Sequence, residues 1–247
     1  GYGDFSSPAG VSDNARAFIR TQGQVNATGS VNLEAINSMT VAGLSGSAAV
    51  NTDPTKSNTG IAGALSINTL AGTTEAYVGQ VQLTAPSLGM IASGSGMIIS
   101  LSAGVATAPG TDKGTAVSGS VSANNSTMST VADISESASL RLSGDANLTA
   151  ATNSLIVSVA GAVSYGGKKG IGAAIAVNKI TDTTRASVKN SSISFSNGGL
   201  GLSATSDNPG DGRARIVSLA GAVGLSTGGN AASGMLGVNQ IANTTEA

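Results

Sequence analysis

The chain has 247 residues, of which 12 are basic, 13 are acidic and none is His or Cys. The near-zero net charge, without any cluster of Lys and Arg, excludes electrostatic binding of nucleic acid. The missing Cys and His exclude disulfides, cysteine-rich metal sites and catalytic triads that use His. No apolar run approaches the ~20 residues that span a bilayer, so the sequence predicts no transmembrane segment.

Small and aliphatic residues dominate the composition. The 35 glycines and an aromatic content of 2% leave Val, Ile, Leu and Ala as the material for a core. This composition favours strands that pack in thin layers. The hydrophobic content of 40% argues against a disordered linker.

In chain order, a ten-residue motif occurs four times and closes each time on an alanine. Its copies are 67–76, 123–132, 177–186 and 238–247, and a partial copy ends at residue 17. The closing residues, called the marker alanines below, are 59, 56, 54 and 61 residues apart, at Ala17, Ala76, Ala132, Ala186 and Ala247. A period of this length indicates a repeat array in which each unit contacts only its neighbours. We interpret 1–247 as one solenoid segment, with the end of a preceding repeat (1–17) followed by units 18–76, 77–132, 133–186 and 187–247.

Each unit contains four pieces with the period-two alternation of strands. The first is short and begins at the marker alanine, and the second is 31–35, 81–85, 146–150 and 200–204 in the four units. In the third unit, the third and fourth pieces are predicted to bury Leu155, Val157, Val159, Gly161 and Val163, and then Ile171, Ala173, Ile175 and Val177. Spacing varies chiefly at the polar tips between these two pieces, near 53–56, 109–112, 166–169 and 227–230.

Small residues recur on the predicted inner faces of the third and fourth pieces. They form two sets, Gly46, Ala103, Gly161 and Gly221, and Gly63, Gly119, Ala173 and Gly234. We expect the two sheets to approach each other closely at these sets, where a larger side chain would overfill the interior. Gly161→Val should therefore destabilise the chain more than Ser158→Val.

The pattern predicts an all-β fold, a β-solenoid of the right-handed parallel β-helix type built from four repeats of 54–61 residues. Coils of about 20 residues, stacked at the ~4.8 Å strand spacing, would place about three coils in each repeat. One wide coil per repeat is the alternative.

Asparagine recurs at the end of the fourth piece, at Asn68, Asn124, Asn178 and Asn239. Because Asn supports turns through bonds to neighbouring backbone, we interpret this asparagine row as a structural turn ladder. The residues before the marker alanines include opposite charges on adjacent repeats, Arg16 with Glu75 and Arg185 with Glu246, which would pair if the repeats stack in register.

A loop near the last unit holds Asp207, Asn208 and Asp211, which carry oxygen ligands of the kind that calcium takes. The loop lacks the Glu and the regular spacing of an EF-hand. We predict no cofactor, with calcium at Asp207 and Asp211 as the alternative.

The acidic residues are scattered along the repeats, and the only aromatics are three Tyr and three Phe. Polysaccharide lyases and hydrolases on β-helices need converging carboxylates, often beside aromatic platforms for sugars. We predict that the chain is not an enzyme. A carbohydrate-active β-helix, or a glycan-binding module, is the alternative.

The stretches 170–186 (GIGAAIAVNKITDTTRA) and 218–223 (SLAGAV) resemble the repeats of very large secreted exoproteins of Gram-negative bacteria. The likeness is to the leukotoxin-like and filamentous-haemagglutinin-like filamentous adhesins. It implies a β-solenoid stalk that is secreted or held at the cell surface and acts in adhesion or cell–cell contact. Its partners would be a host or neighbouring-cell surface, including glycans, and the rest of the same long chain. Unpaired strand edges at the ends of such a segment also predict end-to-end self-association.

Overall fold

A computed structural model describes residues 5–110, 113–206 and 215–247, and in these ranges the chain forms strands joined by turns. Every strand pair is parallel. The described ranges contain no helix of the length and hydropathy that crossing a membrane requires. The predicted all-β parallel solenoid is confirmed, while its right-handed sense stays a prediction.

The strands form three sheets, and each coil contributes one strand to a sheet, except that two shorter strands replace one long strand at the C-terminal end of sheets 1 and 3. Sheet 1 contains β1 (Phe5–Arg20), β4 (Thr59–Gly79), β7 (Thr115–Ser135), β10 (Lys169–Val188), β14 (Asn230–Ile241) and β15 (Thr244–Glu246). The short sheet 2 contains β2 (Gln24–Asn26), β5 (Gln82–Ala85), β8 (Ser139–Leu142) and β11 (Ser192–Phe195). Sheet 3 contains β3 (Val31–Val50), β6 (Leu88–Ala108), β9 (Ala146–Gly166), β12 (Leu200–Thr205) and β13 (Ile216–Ser226).

The register of sheet 1 aligns the marker alanines. Ala17 is the partner of Ala76, Ala76 of Ala132, and Ala132 of Ala186. Since successive markers lie on adjacent strands, each repeat makes one wide coil. The prediction of three coils per repeat is wrong, because the motif continues the strand instead of turning it, and β4 alone runs for 21 residues.

Sheet 2 was not recognised in the sequence. The partner of Val31 is Leu88, so the predicted second piece at 81–85 is wrong: most of it forms β5. That short strand has the same alternation as the start of a sheet 3 strand, which explains the error. The corner that leads from sheet 1 into sheet 2 uses positive φ angles of 52°, 55° and 47° at Gln80, Glu136 and Asn190.

The base of the solenoid is the part of each coil where all three sheets meet. Sheet 2 closes its third side, so there is room between sheets 1 and 3 for large aliphatic side chains. None of the following core residues is more than 2% exposed: Val78, Val81, Leu83, Leu88, Met90, Ile134, Leu140, Leu142 and Leu148. A second apolar layer, the middle cluster, follows and consists of Met39, Val41, Leu70, Ile98, Met128, Ile156 and Ile180.

Beyond the middle cluster, sheets 1 and 3 alone form a two-layer blade that ends at the tip loops. The blade consists of 42–50 and 60–68 in the first coil and their register partners 99–107, 116–124, 157–165, 170–178, 217–225 and 231–239. Its interior holds small residues, including Ala160, Ala162, Ala174 and Ala176. The blade is therefore packed almost without large side chains.

The predicted inner face of the blade is wrong, because the alternation is real but inverted. Val163, Ile171 and Val177 are exposed. Leu155, Val157, Val159, Gly161 and Ile175 are only partly buried, and Ala173 is exposed. The buried residues of these strands are their neighbours, among them Ser158 and Ala174.

The two sheets of the blade do approach closely, as predicted, but at other glycines. A Cβ at Gly104 would lie 2.6 Å from the carbonyl oxygen of Gly119, and one at Gly172 would lie 2.8 Å from that of Val223. A Cβ at Gly161 would meet nothing within 4 Å. The expected ranking of Gly161→Val above Ser158→Val therefore rested on the wrong face.

Candidate functional site

A cleft lies on the outer side of sheet 1 near its corner with sheet 2. Arg16 Nη2 lies 2.6 Å from Glu75 Oε2, which is the pair that the sequence predicted, and Arg20 Nη2 lies 3.0 Å from Glu136 Oε2. The cleft has a volume of about 240 Å³ and is lined by Arg16, Phe18, Arg20, Glu75, Tyr77 and Glu136. Two ion pairs and two aromatic rings thus share one concave surface.

Tyr77 is the more enclosed of the two aromatic residues in the cleft. Its hydroxyl occupies the position that a Cβ at Gly79 would take, so the glycine makes room for the ring. Burial raises the pKa of Tyr77. Phe18, its register partner, is 63% exposed. Exposed aromatic faces beside polar groups suit ligands with both apolar and hydroxyl surfaces.

The asparagine row lies on the inner side of sheet 1 in the middle of its strands, so its predicted position at a turn is wrong. Asn68, Asn124 and Asn178 are buried, and Asn239 on the last strand is exposed. The side-chain amides bond along the stack: Asn68 Nδ2 donates to Asn124 Oδ1 at 2.7 Å, Asn124 to Asn178 at 2.7 Å, and Asn178 to Asn239 at 2.9 Å. The row forms a ladder because the in-register stack places identical side chains one above another. The burial of Asn68, Asn124 and Asn178 agrees with a structural role for the row.

The ladder also bonds to serines and ends at a defined place. Asn68 Nδ2 lies 3.0 Å from Ser100 Oγ, and Ser100 Oγ lies 2.7 Å from Ser122 Oγ. The register partner of Asn68 in the first coil is Ala9, which has no amide to donate. The Oδ1 of Asn68 is accordingly left without a partner.

A buried ion pair lies beside the middle cluster. Arg215 Nη2 is 2.5 Å from Asp182 Oδ2, and the two side chains are 11% and 0% exposed. Met128 donates its backbone N–H to Asp182 Oδ1 at 3.2 Å. Burial raises the pKa of Asp182, although the charge of Arg215 and its hydrogen bond to the carboxylate oppose this. The carboxylate of Asp182 on β10 thus bonds to β7 and to the residue before β13, which is a structural role.

The first tip loop is ordered around Asp53. Thr55 donates its backbone N–H and its hydroxyl to Asp53 Oδ1 at 2.9 and 2.6 Å, and Lys56 Nζ lies 3.5 Å from Asp53 Oδ2. The hydrogen bonds from Thr55 lower the pKa of Asp53. The loop therefore presents fixed polar groups at the far end of the blade.

The calcium candidates Asp207 and Asp211 lie outside the described residues. Among the residues that are described, no group of three or more Asp, Glu, His or Cys side chains could hold a metal ion. The structure therefore offers no support for a metal in the described part and leaves the candidate loop untested.

The blade has two extended apolar outer faces. Face 3 consists of every second residue of 42–50, 99–107, 157–165 and 217–225, and face 1 of every second residue of 61–67, 117–123, 171–177 and 232–238. Neither face contains a charged residue. Leu44, Leu101 and Leu219 on face 3 are 69%, 41% and 63% exposed. Contiguous apolar surface of this extent marks an interaction site.

Sequence reasoning missed the cleft, the buried ion pair and the apolar faces. The cleft had a signal, because Phe18 and Tyr77 follow the paired charges by two positions and so lie on the same face. Asp182 also had a signal in the sequence. It follows Asn178 by four positions on the same strand, so both side chains point inward. The faces were missed because the same residues were assigned to the core.

The geometry defines a parallel β-solenoid repeat protein with one coil per repeat, an aliphatic base and a thin blade. Comparison with protein-family models, with curated proteins and with solved structures finds no match for this chain. The family resemblance drawn from the motifs therefore stays a proposal.

Proposed function

We propose that the chain is a structural stalk or adhesin segment of a large secreted or cell-surface bacterial protein, acting in adhesion or cell–cell contact. The observation that supports this is the in-register stack of coils. Each strand pairs only with the same strand of adjacent coils, so coils can be added without altering those already present. An array of this kind suits a long spacer that carries binding groups on its loops.

The tip loops are the part of the chain that would determine binding specificity. They vary in length while the strands around them keep register, which is how solenoids present binding surfaces. The ordered polar groups at Asp53, Thr55 and Lys56 are one such surface. The resemblance to Gram-negative exoproteins agrees with this role.

The test is binding of the fluorescently labelled 247-residue chain to Gram-negative and epithelial cells, measured by flow cytometry. A variant with 53–58 replaced by a Gly/Ser loop of equal length serves as the matched control. We expect saturable binding by the parent chain and weaker binding by the variant. Binding no greater than that of an unrelated labelled protein would contradict the proposal.

The corner cleft favours glycan binding as a second candidate function. Phe18 and Tyr77 provide aromatic faces, and the flanking Arg and Glu side chains provide hydrogen-bonding groups for hydroxyls. A glycan array with the parent chain, Phe18→Ala and Tyr165→Ala tests it, since Tyr165 lies on the blade outside the cleft. Loss of a signal in Phe18→Ala alone supports the cleft, whereas cleavage of a polysaccharide would favour a carbohydrate-active enzyme.

A further inference from the structure

We propose that face 3 of the blade binds face 3 of a second copy of this chain, so that two solenoids associate side by side. The starting point is the inverted packing of the blade, which leaves its aliphatic side chains outside and its serines and alanines inside. Leu101 and Leu219, on strands of different coils, are exposed at the same height of face 3. This contact goes beyond the proposed adhesive role and does not depend on it.

The area of face 3 is sufficient for a dimer. Four strands at ~4.8 Å spacing and eight residue steps at ~3.3 Å give about 19 by 26 Å, or about 500 Å² of flat area on each copy. Two such faces bury about 1,000 Å² in total, where specific interfaces begin, and side-chain relief adds to this value. Face 1 exposes fewer large hydrophobic side chains, seven against the eleven of face 3, so face 3 is the more apolar of the two surfaces.

The relief of face 3 repeats with the coils. A row of small residues, Gly46, Ala103, Gly161 and Gly221, runs along the stack, and larger residues such as Leu101 and Val105 flank it. A second copy has the same coil spacing, so its ridges match these grooves in every coil at once. A partner without this period would match at one coil only. Shape and periodicity together select a copy of the same chain.

A lipid bilayer is the competing occupant of an uncharged apolar surface. The strands of the blade lead to tip loops with charged side chains, among them Lys56, 75% exposed, and Lys168. Burying the blade in hydrocarbon would carry these charges into or across the membrane, which is costly. Side-by-side contact leaves the tips in water.

The experiment measures self-association of the 247-residue chain by analytical ultracentrifugation over a wide concentration range. The variants are Leu101→Lys on face 3 and Leu65→Lys on face 1, a matched pair because the two leucines are 41% and 37% exposed. We expect reversible dimers of the parent. Leu101→Lys should raise the dissociation constant roughly tenfold or more, because an unpaired ammonium would be buried. Leu65→Lys should leave it nearly unchanged, and thermal unfolding of both variants verifies that they fold.

Cysteine cross-linking gives a second measurement that does not depend on these substitutions. The chain has no Cys, so Ala103→Cys and Ala173→Cys each introduce a single thiol at the centre of face 3 and of face 1. We expect Ala103→Cys to form covalent dimers with a short bis-maleimide reagent and Ala173→Cys to form few.

Four results would overturn the proposal. They are a monomeric parent at all concentrations, an equal effect of the two Lys variants, equal cross-linking of the two Cys variants, and a parent that binds phosphatidylcholine vesicles through face 3 without self-association. Dimers unaffected by either Lys substitution would indicate end-to-end pairing of strand edges instead. Cell binding in the adhesion assay is a separate readout, so either proposal can fail alone.

Discussion

The long strands of sheets 1 and 3 run through both the base and the blade of this solenoid, yet their side chains are arranged in opposite ways in the two parts. In the base, leucines of sheet 3 such as Leu88 and Leu148 point inward and are fully buried. In the blade, Leu44 and Leu101 point outward, and serines and alanines fill the interior. Hydrogen bonding along the stack is the same in both parts, so strand pairing does not decide which side chains are buried.

The difference follows from the distance between sheets 1 and 3. Sheet 2 holds them apart in the base, where branched side chains fit between them. Nothing separates them in the blade, and their backbones approach until a Cβ at Gly104 would touch the opposite carbonyl oxygen. Gly, Ala, Ser and the flat amides of the asparagine row fit there, and the hydroxyls next to the row bond to the amides and to one another.

The largest expected effect is the loss of a leucine from the base. Leu140→Ala should lower the free energy of unfolding by about 2–5 kcal/mol, because it leaves a cavity in a closed core. Leu101→Ala removes the same atoms from the surface of the blade and should cost less than about 1 kcal/mol. Urea unfolding of dilute protein measures both. Equal losses would mean that the blade is not inverted relative to the base.

The second-largest loss of stability is expected from a side chain that overfills the interior of the blade. Gly104→Val should cost about 1–3 kcal/mol or more, because the added atoms meet backbone that cannot move aside. Gly161→Val, on the outer face of the adjacent coil, adds the same atoms in open space. The denaturation midpoints of the two variants compare the inner and outer sides of sheet 3. A lower midpoint for Gly161→Val than for Gly104→Val would support the face assignment made from the sequence.

The asparagine row should contribute a smaller amount to the free energy of unfolding. Asn124→Ala removes the acceptor of Asn68 and the donor to Asn178, and we expect a cost of about 1–2 kcal/mol. Asn125→Ala alters the next residue, which points outward, and is the matched control. If both variants unfold at the parent's urea concentration, the ladder adds nothing to stability.

The smallest expected effect is a dependence of stability on pH. The folded-state pKa of Asp182 is raised above its ordinary value of 3.8, so the contribution of Asp182 to stability is fully present below that value and is lost as the pH rises through the folded pKa. Asp53 has a lowered pKa, so its contribution is present above 3.8 and is lost as the pH falls.

Asp182→Asn should therefore make stability decline less between acidic and neutral pH, and Asp53→Asn should change the slope in the opposite sense. Urea unfolding at a series of pH values measures both slopes. Slopes that move in the same direction for the two variants would show that one of the pKa directions is wrong.

Repeat length and strand alternation could be predicted because they are local properties of the sequence. The alignment of Ala17, Ala76 and Ala132 followed from spacing alone, and so did the pairing of Arg16 with Glu75. The number of coils per repeat could not be predicted in this way. It depends on whether the chain turns after Asn68 or continues as a strand to Gly79, and Asn with Thr is compatible with both.

The sequence by itself determined that this protein is an all-β parallel solenoid, which units stack, and which residues of each strand share a face. Only the tertiary structure decided which face is inside. Period-two alternation separates two faces but is symmetric between them, and apolar side chains normally identify the buried one. Here the separation of sheets 1 and 3 changes along each coil. The aliphatic face is therefore buried in the base, where sheet 2 makes room for it. It is exposed in the blade, where sheets 1 and 3 pack directly against each other.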